Sequence, residues 1–268
     1  MSESSNQGIK ADLYVFWTSG FDSTFRMVQI QKEIVDKALV VQPIYVSGNG
    51  RKSEAIEIER MKKMIPMLRE IGNNEILDLL IVEKDSIPAN EEISAAYNRI
   101  ASKIRLGTQY DWLARLALQY PGIEVGVQKP NGEYGGCNKA IATMGSMEHR
   151  DNCYYVNKEK SDPDFNLVFG NFSYPILDIK ETRMVELIHE WKCEDIMDNI
   201  WFCFIPIDGK PCGYCRPCQQ KMECDMEWLI PENGRKRYRL FKRAAKVVGT
   251  KNSYAVTGFL CRKIGYLK

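Results

Sequence analysis

Leu13-Tyr14-Val15-Phe16-Trp17-Thr18-Ser19-Gly20-Phe21-Asp22-Ser23-Thr24 is the stretch that decides the fold. Leu13–Trp17 is an apolar run of the kind found in a strand buried on both faces of a parallel sheet. It gives way at once to small and hydroxyl residues, and a helical pattern follows with Phe25, Val28 and Ile34 among its apolar positions. A buried strand that turns through such residues into a helix builds an anion site, because the first N–H groups of a helix have no intrahelical partner. Hydroxyls of Thr18, Ser23 and Thr24 can add to that cradle, Gly20 permits close approach or a positive φ, and Asp22 suits a Mg²⁺ ion or a helix cap. No Gly-Lys-Ser/Thr follows, so this is not a Walker A loop. An ordinary capped strand-to-helix turn would read the same way in isolation.

Outward from this turn, short β-rich runs alternate with helical stripes. Val40–Val46 reads as a second strand, with Pro43 demoting it towards an edge or a bulge. Ser53 is a candidate N-cap for a helix carrying Ala55, Ile58, Met61, Ile65 and Leu68, interrupted at Pro66. Leu77–Val82 reads as a third strand, Tyr110, Leu113, Ala114 and Ala117 as one helix face, and Ile123–Val127 as a fourth strand. This β-α-β-α order predicts an α/β fold with a doubly wound parallel sheet. Lys129–Gly136 is turn chemistry, and periodicity stays weak to about Asn166. Leu167–Phe169 and Tyr174–Leu177 are expected as short strands, Glu181–Trp191 as a helix, and Arg235–Lys246 as a basic helix. Residues 11–190 are expected to form the α/β domain and 191–268 a smaller C-terminal subdomain.

The chain has 268 residues with a formal charge of +2, so overall charge selects no partner. No apolar run reaches the ~18 residues of a membrane span. Met1–Lys10 is polar and Ser-rich, reads as a loose tail without the apolar core of a signal peptide, and the cytoplasm is the expected compartment. Nine cysteines in such a setting point to metal or thiol chemistry rather than to a disulfide scaffold.

Cys203-x8-Cys212-x2-Cys215-x2-Cys218 gathers four thiols in one loop-rich segment, where Pro211, Gly213 and Pro217 favour tight turns. Zn²⁺ takes four soft ligands in a tetrahedron, and a closed Cys₄ site leaves no position for a substrate, so a structural zinc is expected. An iron–sulfur cluster or four unrelated core cysteines would use the same residues.

The 18–24 loop is similar to the Ser-Gly-Gly-x-Asp-Ser loop of N-type ATP pyrophosphatases, with Thr18 in place of the first Ser and Ser19 in place of the first Gly. Trp201-Phe202-Cys203 with Cys212-Gly213-Tyr214-Cys215-Arg216-Pro217-Cys218 looks like the zinc segment of the 7-cyano-7-deazaguanine synthase family, and Pro175–Lys180 resembles its Pro-Leu-x-x-x-x-Lys stretch. Tyr45–Glu54 and Leu106–Ala117 resemble further patches of it. The chain departs from that family after the fourth strand, where Gly126-Val127-Gln128 leads into a longer segment with Gly135-Gly136-Cys137, and at Thr108, which stands where the family has Arg.

The resemblance implies an adenine nucleotide alpha hydrolase-like fold that uses ATP, Mg²⁺ and a structural Zn²⁺. Its expected reaction adenylates 7-carboxy-7-deazaguanine and converts it through an amide to a nitrile, with ammonia as amine donor. Thr18, Ser19, Gly20, Phe21, Asp22, Ser23 and Thr24 would hold the nucleotide, Asp22 would lie near Mg²⁺, and Lys180 would face the phosphates or the acyl-adenylate. Cys203, Cys212, Cys215 and Cys218 would bind zinc, and a homodimer is expected. Transfer of the activated deazaguanine to another amine, such as one on a protein, is an alternative. So is a tRNA-modifying sulfur transferase with Cys137 as its thiol, and so is a non-catalytic nucleotide-binding scaffold. Arg51 and Lys52 are candidate phosphate neighbours. His149 and His189, the only histidines, are weaker candidates for a catalytic role, and Arg235–Lys246 is expected to cover the enzyme's own surface rather than nucleic acid.

Overall fold

Strands β1 (Leu13–Phe16) and β2 (Val40–Ser47) pair in parallel from Leu13↔Val41 to Phe16↔Ile44. In the computed structural model the described residues are 10–130, 135–223 and 226–263, apart from the side chains of 250, 251 and 260–263. The expected N-terminal tail, Lys10 excepted, and the middle of the 129–136 turn lie outside them. Side chains alternate across the two strands with the period of two that a strand imposes. Phe16, Ile44 and Val46 enter one core; Val15, Trp17, Val41 and Tyr45 enter the other. Helices cover both faces. α1 (Phe21–Glu33) and α2 (Glu54–Glu70) pack on the Trp17 side, while α3 (Glu91–Lys103) and α4 (Gln109–Gln119) pack on the Phe16 side. Asn90 starts α3 by accepting a hydrogen bond from the Ile93 N–H at 3.0 Å.

β2 is a central strand, which corrects the edge reading of Pro43. On its far side it pairs with β3 (Glu75–Ile76) through Val40 and Val41, then with β4 (Leu80–Glu83) from Ile44↔Leu80 to Ser47↔Glu83. Val41 O accepts from Leu77 N–H and Ile44 O from Trp17 N–H. Alternation along the strand therefore aims the position-43 nitrogen at the break between β3 and β4. No ladder bond is lost there, and Gln42 fills the break by donating to Asp78 O at 2.8 Å. Of the expected third strand, Leu77–Val82, only residues 80–82 are strand, in β4, and β3 lies just before it. Pro66 lies inside α2 without ending it.

On the other side of β1, parallel bridges join Val15 to Glu124 and Glu124 to Ser173. The chain thus builds outward from β1 through β2 to β3 and β4, then returns to add residues 123–125 and 173 on the opposite side. Arg26 of α1 fixes this junction through two bonds to buried Glu124, Nε to Oε2 at 2.8 Å and Nη2 to Oε1 at 2.7 Å.

α5 (Gly136–Met144), the antiparallel pair β5 (Met147–Arg150) and β6 (Cys153–Val156), and α6 (Pro163–Phe169) follow. Leu167–Phe169 is the end of α6 rather than a strand. Asp162 accepts from the N–H groups of Asp164 and Phe165 at 2.9 and 3.2 Å, and Pro163 occupies the first helical turn, where its missing N–H costs nothing. α7 (Glu181–Trp191) has the expected limits, and α8 (Glu194–Met197) follows it. Cys193, Ile196, Met197, Ile200 and Met226 share the core with Val15 and Trp17, so residues beyond 190 contribute to the packing of the first strand.

α9 (Arg216–Glu223) and α10 (Glu232–Lys263), which breaks at Gly249 with φ 76°, complete the described chain. The four clustered cysteines pack with Trp201, Ile230 and Phe241 in a third small core. Two glycines make it possible. Gly213 has φ 86°, and a Cβ there would lie 1.9 Å from Gly234 O at the start of α10. Among the described residues no helix is long and apolar enough to cross a membrane.

Candidate functional site

At the bend between β1 and α1 the N-cap is Gly20, which has no side chain to take up the first-turn N–H groups of α1. Gly20 has φ −68°, so of the two roles expected for it the positive φ is not adopted, and the left-handed residue is Ser19 at φ 53°. Ser19 is fully buried and its Oγ has no hydrogen-bond partner among the described residues. Its carbonyl accepts from Trp201 N–H at 2.8 Å, a direct bond between the loop and the cysteine segment. Ser23 Oγ closes the bend by accepting from Thr18 N–H at 3.4 Å.

Two clefts flank this bend. One, of about 130 Å³, lies between the loop, Tyr110 and Leu113 of α4, and Val125-Gly126-Val127. Gly126 belongs to the fit, because a Cβ there would stand 3.2 Å from Ser23 N. The other, of about 220 Å³, lies between the loop and Trp201, Phe202, Pro217, Gln220 and Lys221. Thr18, Gly20, Phe21, Asp22 and Arg51 line both. Arg51 also opens onto a wider hollow of about 550 Å³ with Lys52, Gln109, Trp112, Phe204 and Ile205 on its walls. All of this sits beyond the carboxyl ends of β1 and of residues 123–125, which bridge to β1 on the side away from β2.

The residues singled out in the sequence separate by position. Thr18, Gly20, Phe21, Asp22, Ser23 and Arg51 reach the clefts. Thr24 does not, since its buried Oγ1 accepts the Trp17 indole N–H at 2.9 Å beneath the loop. Lys180 is exposed at the N-cap of α7 and bridges backbone to backbone with Lys129. The cation beside the loop is Lys221 of α9, which sequence reasoning missed. Its ammonium lies 4.3 Å from the Phe21 ring centroid and pairs with buried Glu181, which also accepts from Gln220 Nε2 at 3.1 Å. The usable signal was its place three residues after Cys218, on the same helix.

Desolvation raises the Asp22 pKa from 3.8 to about 6, against the attraction of Lys221 and with a further push from Glu181. A group near neutrality beside backbone N–H donors and two side-chain cations suits a carboxylate that takes up a cation with an incoming anion. Arg51 is held at the clefts by Glu57 Oε2 at 3.3 Å and Gln109 Oε1 at 3.2 Å. Glu57 in turn accepts from Ser53 Oγ at 2.6 Å and Tyr45 OH at 2.9 Å, so Ser53 stands at the N-cap position of α2 as expected but gives its hydroxyl to an acid rather than to a capping bond.

No protein family, curated protein or solved structure matches the chain.

Cys203, Cys212, Cys215 and Cys218 are all buried, and their Sγ atoms lie within 4.8 Å of one another. Sγ–Sγ separations are 3.8 Å for Cys212–Cys218 and 3.9 Å for Cys203–Cys215. A regular tetrahedron with Zn–S near 2.3 Å has edges of about 3.8 Å, so the donor set fits a zinc ion. N–H groups of Cys212, Tyr214 and Cys215 point at these sulfurs at 3.2 to 3.4 Å, the arrangement that stabilises thiolate charge. Buried Arg237 donates to Cys212 O at 2.7 Å, and Phe241 packs in the same core. That part of the basic stretch is committed to holding the cysteine loop.

Cys137 is buried in α5, and desolvation pushes its thiol up to about 12, with no cation among the causes of the shift. It stays protonated at neutral pH. His149 is exposed beside Tyr154, and His189 is exposed with Nδ1 2.7 Å from Glu194.

Proposed function

We propose that the chain is an ATP-dependent ligase that adenylates a carboxylate, built on a doubly wound sheet of the adenine nucleotide alpha hydrolase type. The observation that carries this is the convergence of the α1 N-terminus, Asp22, Arg51 and Lys221 on one bend beyond the carboxyl end of β1. A triphosphate placed there meets backbone N–H donors and two cations. Asp22 would hold Mg²⁺, which usually binds through one or two carboxylates together with substrate phosphates and would neutralise charge on the departing pyrophosphate. The left-handed φ at Ser19 supports the likeness to the pyrophosphatase loop, since that family places glycine at this position.

In the reaction a substrate carboxylate oxygen attacks the α-phosphorus of ATP, the bond to the β-phosphate oxygen breaks, and pyrophosphate departs. An amine then attacks the acyl carbon, giving an amide and AMP. The protein's work is alignment and charge stabilisation. The cysteine segment's likeness to the 7-cyano-7-deazaguanine synthases suggests 7-carboxy-7-deazaguanine as the acid. The hollow beside Arg51, with Trp112, Phe204 and Ile205 on its walls, has room for a flat heterocycle.

The deciding experiment is ATP turnover with 7-carboxy-7-deazaguanine, with and without ammonia, read by mass spectrometry. AMP and pyrophosphate should appear only with the acid. A nitrile, a free amide or a mass added to the protein would identify the acceptor. Equal AMP release without any carboxylate would end the adenylation reading.

A further inference from the structure

Within the nucleotide-site reading, we infer that the cysteine segment supplies a working wall of the phosphate site, with Lys221 as the cation that meets the β- and γ-phosphates and Glu181 as its resting counter-ion. Three observations converge on this. Lys221 lines the same cleft as Thr18, Gly20 and Asp22, and its ammonium stands 4.3 Å from the centroid of Phe21, a residue of the bend itself. It follows Cys218 by one helical turn on α9, so packing of the cysteines sets where it lies. The other end of the same segment is tied to the bend by the Trp201 N–H bond to Ser19 O at 2.8 Å.

The chemistry of the pair adds to the geometry. An ammonium carries three donors, and Glu181 takes one, leaving donors for phosphate oxygens. A buried pair of this kind contributes little net stability compared with apolar residues of the same volume. Its place at the edge of the cleft is explained by an anion that arrives and shares Lys221 with Glu181. Gln220 Nε2, already on Glu181, remains as a neutral partner for that carboxylate when the ammonium turns to the ligand.

The test uses the full-length, metal-loaded protein and calorimetric binding of ATP and of inorganic pyrophosphate, each with Mg²⁺. Lys221→Met should weaken pyrophosphate binding about tenfold, and Lys221→Arg should keep most of it. Glu181→Gln should strengthen binding severalfold, because it frees the cation. A pair with a purely structural role would give losses in both single variants. Removal of one partner strains the fold, so the double variant Lys221→Met/Glu181→Leu replaces both charges with apolar groups and should remain folded while binding as weakly as Lys221→Met. Pyrophosphate binding by the folded double variant as tight as in the wild type would overturn the inference and leave the nucleotide reading standing. Failure of the wild type to bind either ATP or pyrophosphate would overturn both.

Discussion

Asp22→Asn should make the protein more stable at neutral pH while disabling it. Asp22 is partly buried, and its pKa rises from 3.8 to about 6 because desolvation outweighs the attraction of Lys221. Each pKa unit corresponds to 1.36 kcal/mol, so full ionisation of Asp22 costs the fold about 3 kcal/mol, and between about 1 and 3 once water in the cleft screens it. The direction follows from linkage. Below pH 3.8 both the folded and the unfolded carboxyl are protonated and no cost exists. Between 3.8 and about 6 the unfolded chain ionises first and stability falls. Above 6 the full cost is present. An amide never ionises and escapes the cost. Urea unfolding of both proteins from pH 4 to pH 8 should therefore show similar stabilities at pH 4 and an advantage for the variant that grows to a plateau above pH 6. The same variant should lose at least tenfold in AMP formation, about 1.4 kcal/mol of barrier. A stability difference that is independent of pH, or that favours the wild type at pH 7.5, would refute the placement of this carboxylate.

The other expectations are equally direct. Ser19→Gly relieves a left-handed backbone at φ 53° and removes a buried hydroxyl that has no partner among the described residues, so thermal unfolding should show a gain of about 1–2 kcal/mol with nucleotide binding retained. Glu124→Gln removes the carboxylate paired with the buried Arg26 guanidinium and should cost about 3–5 kcal/mol in urea unfolding, while the double variant Arg26→Met/Glu124→Leu should cost much less. Gly213→Ala places a Cβ against Gly234 O at 1.9 Å in a positive-φ turn, and its purified protein should carry less zinc by elemental analysis than the wild type. Chelation of the wild type should lower its melting temperature, because metal binding contributes to folding of a segment with a small core of its own.

What could be seen in the sequence was whatever changes character abruptly. An apolar run that stops at Thr18 and resumes as a helical stripe at Phe25 marks β1, the bend and α1, and close Cys spacing marks a cluster whose sulfurs do meet. Pro43 was misread because the rule against proline in central strands concerns which neighbour its nitrogen faces. No one-dimensional pattern shows that β3 ends and β4 begins opposite it. Leu167–Phe169 was misread as a strand although Asp162-Pro163 carried a helix start that outweighs three apolar residues in a row. Lys221 escaped notice because a lysine on a polar helix looks solvated. Its burial depends on Glu181, forty positions earlier in the chain, and on Phe21 at the far end of it.

The interruption opposite Pro43 also bears on how copies of this chain meet at high concentration. A sheet that ends in one long unpaired strand offers its open backbone groups to any other extended chain. Here that border consists of a two-residue and a four-residue strand, separated by a kink that Gln42 fills from inside. A foreign strand finds too short a template on either piece to zip along. The same break that leaves the Pro43 nitrogen without a ladder bond to make thus also denies the rim a long open edge.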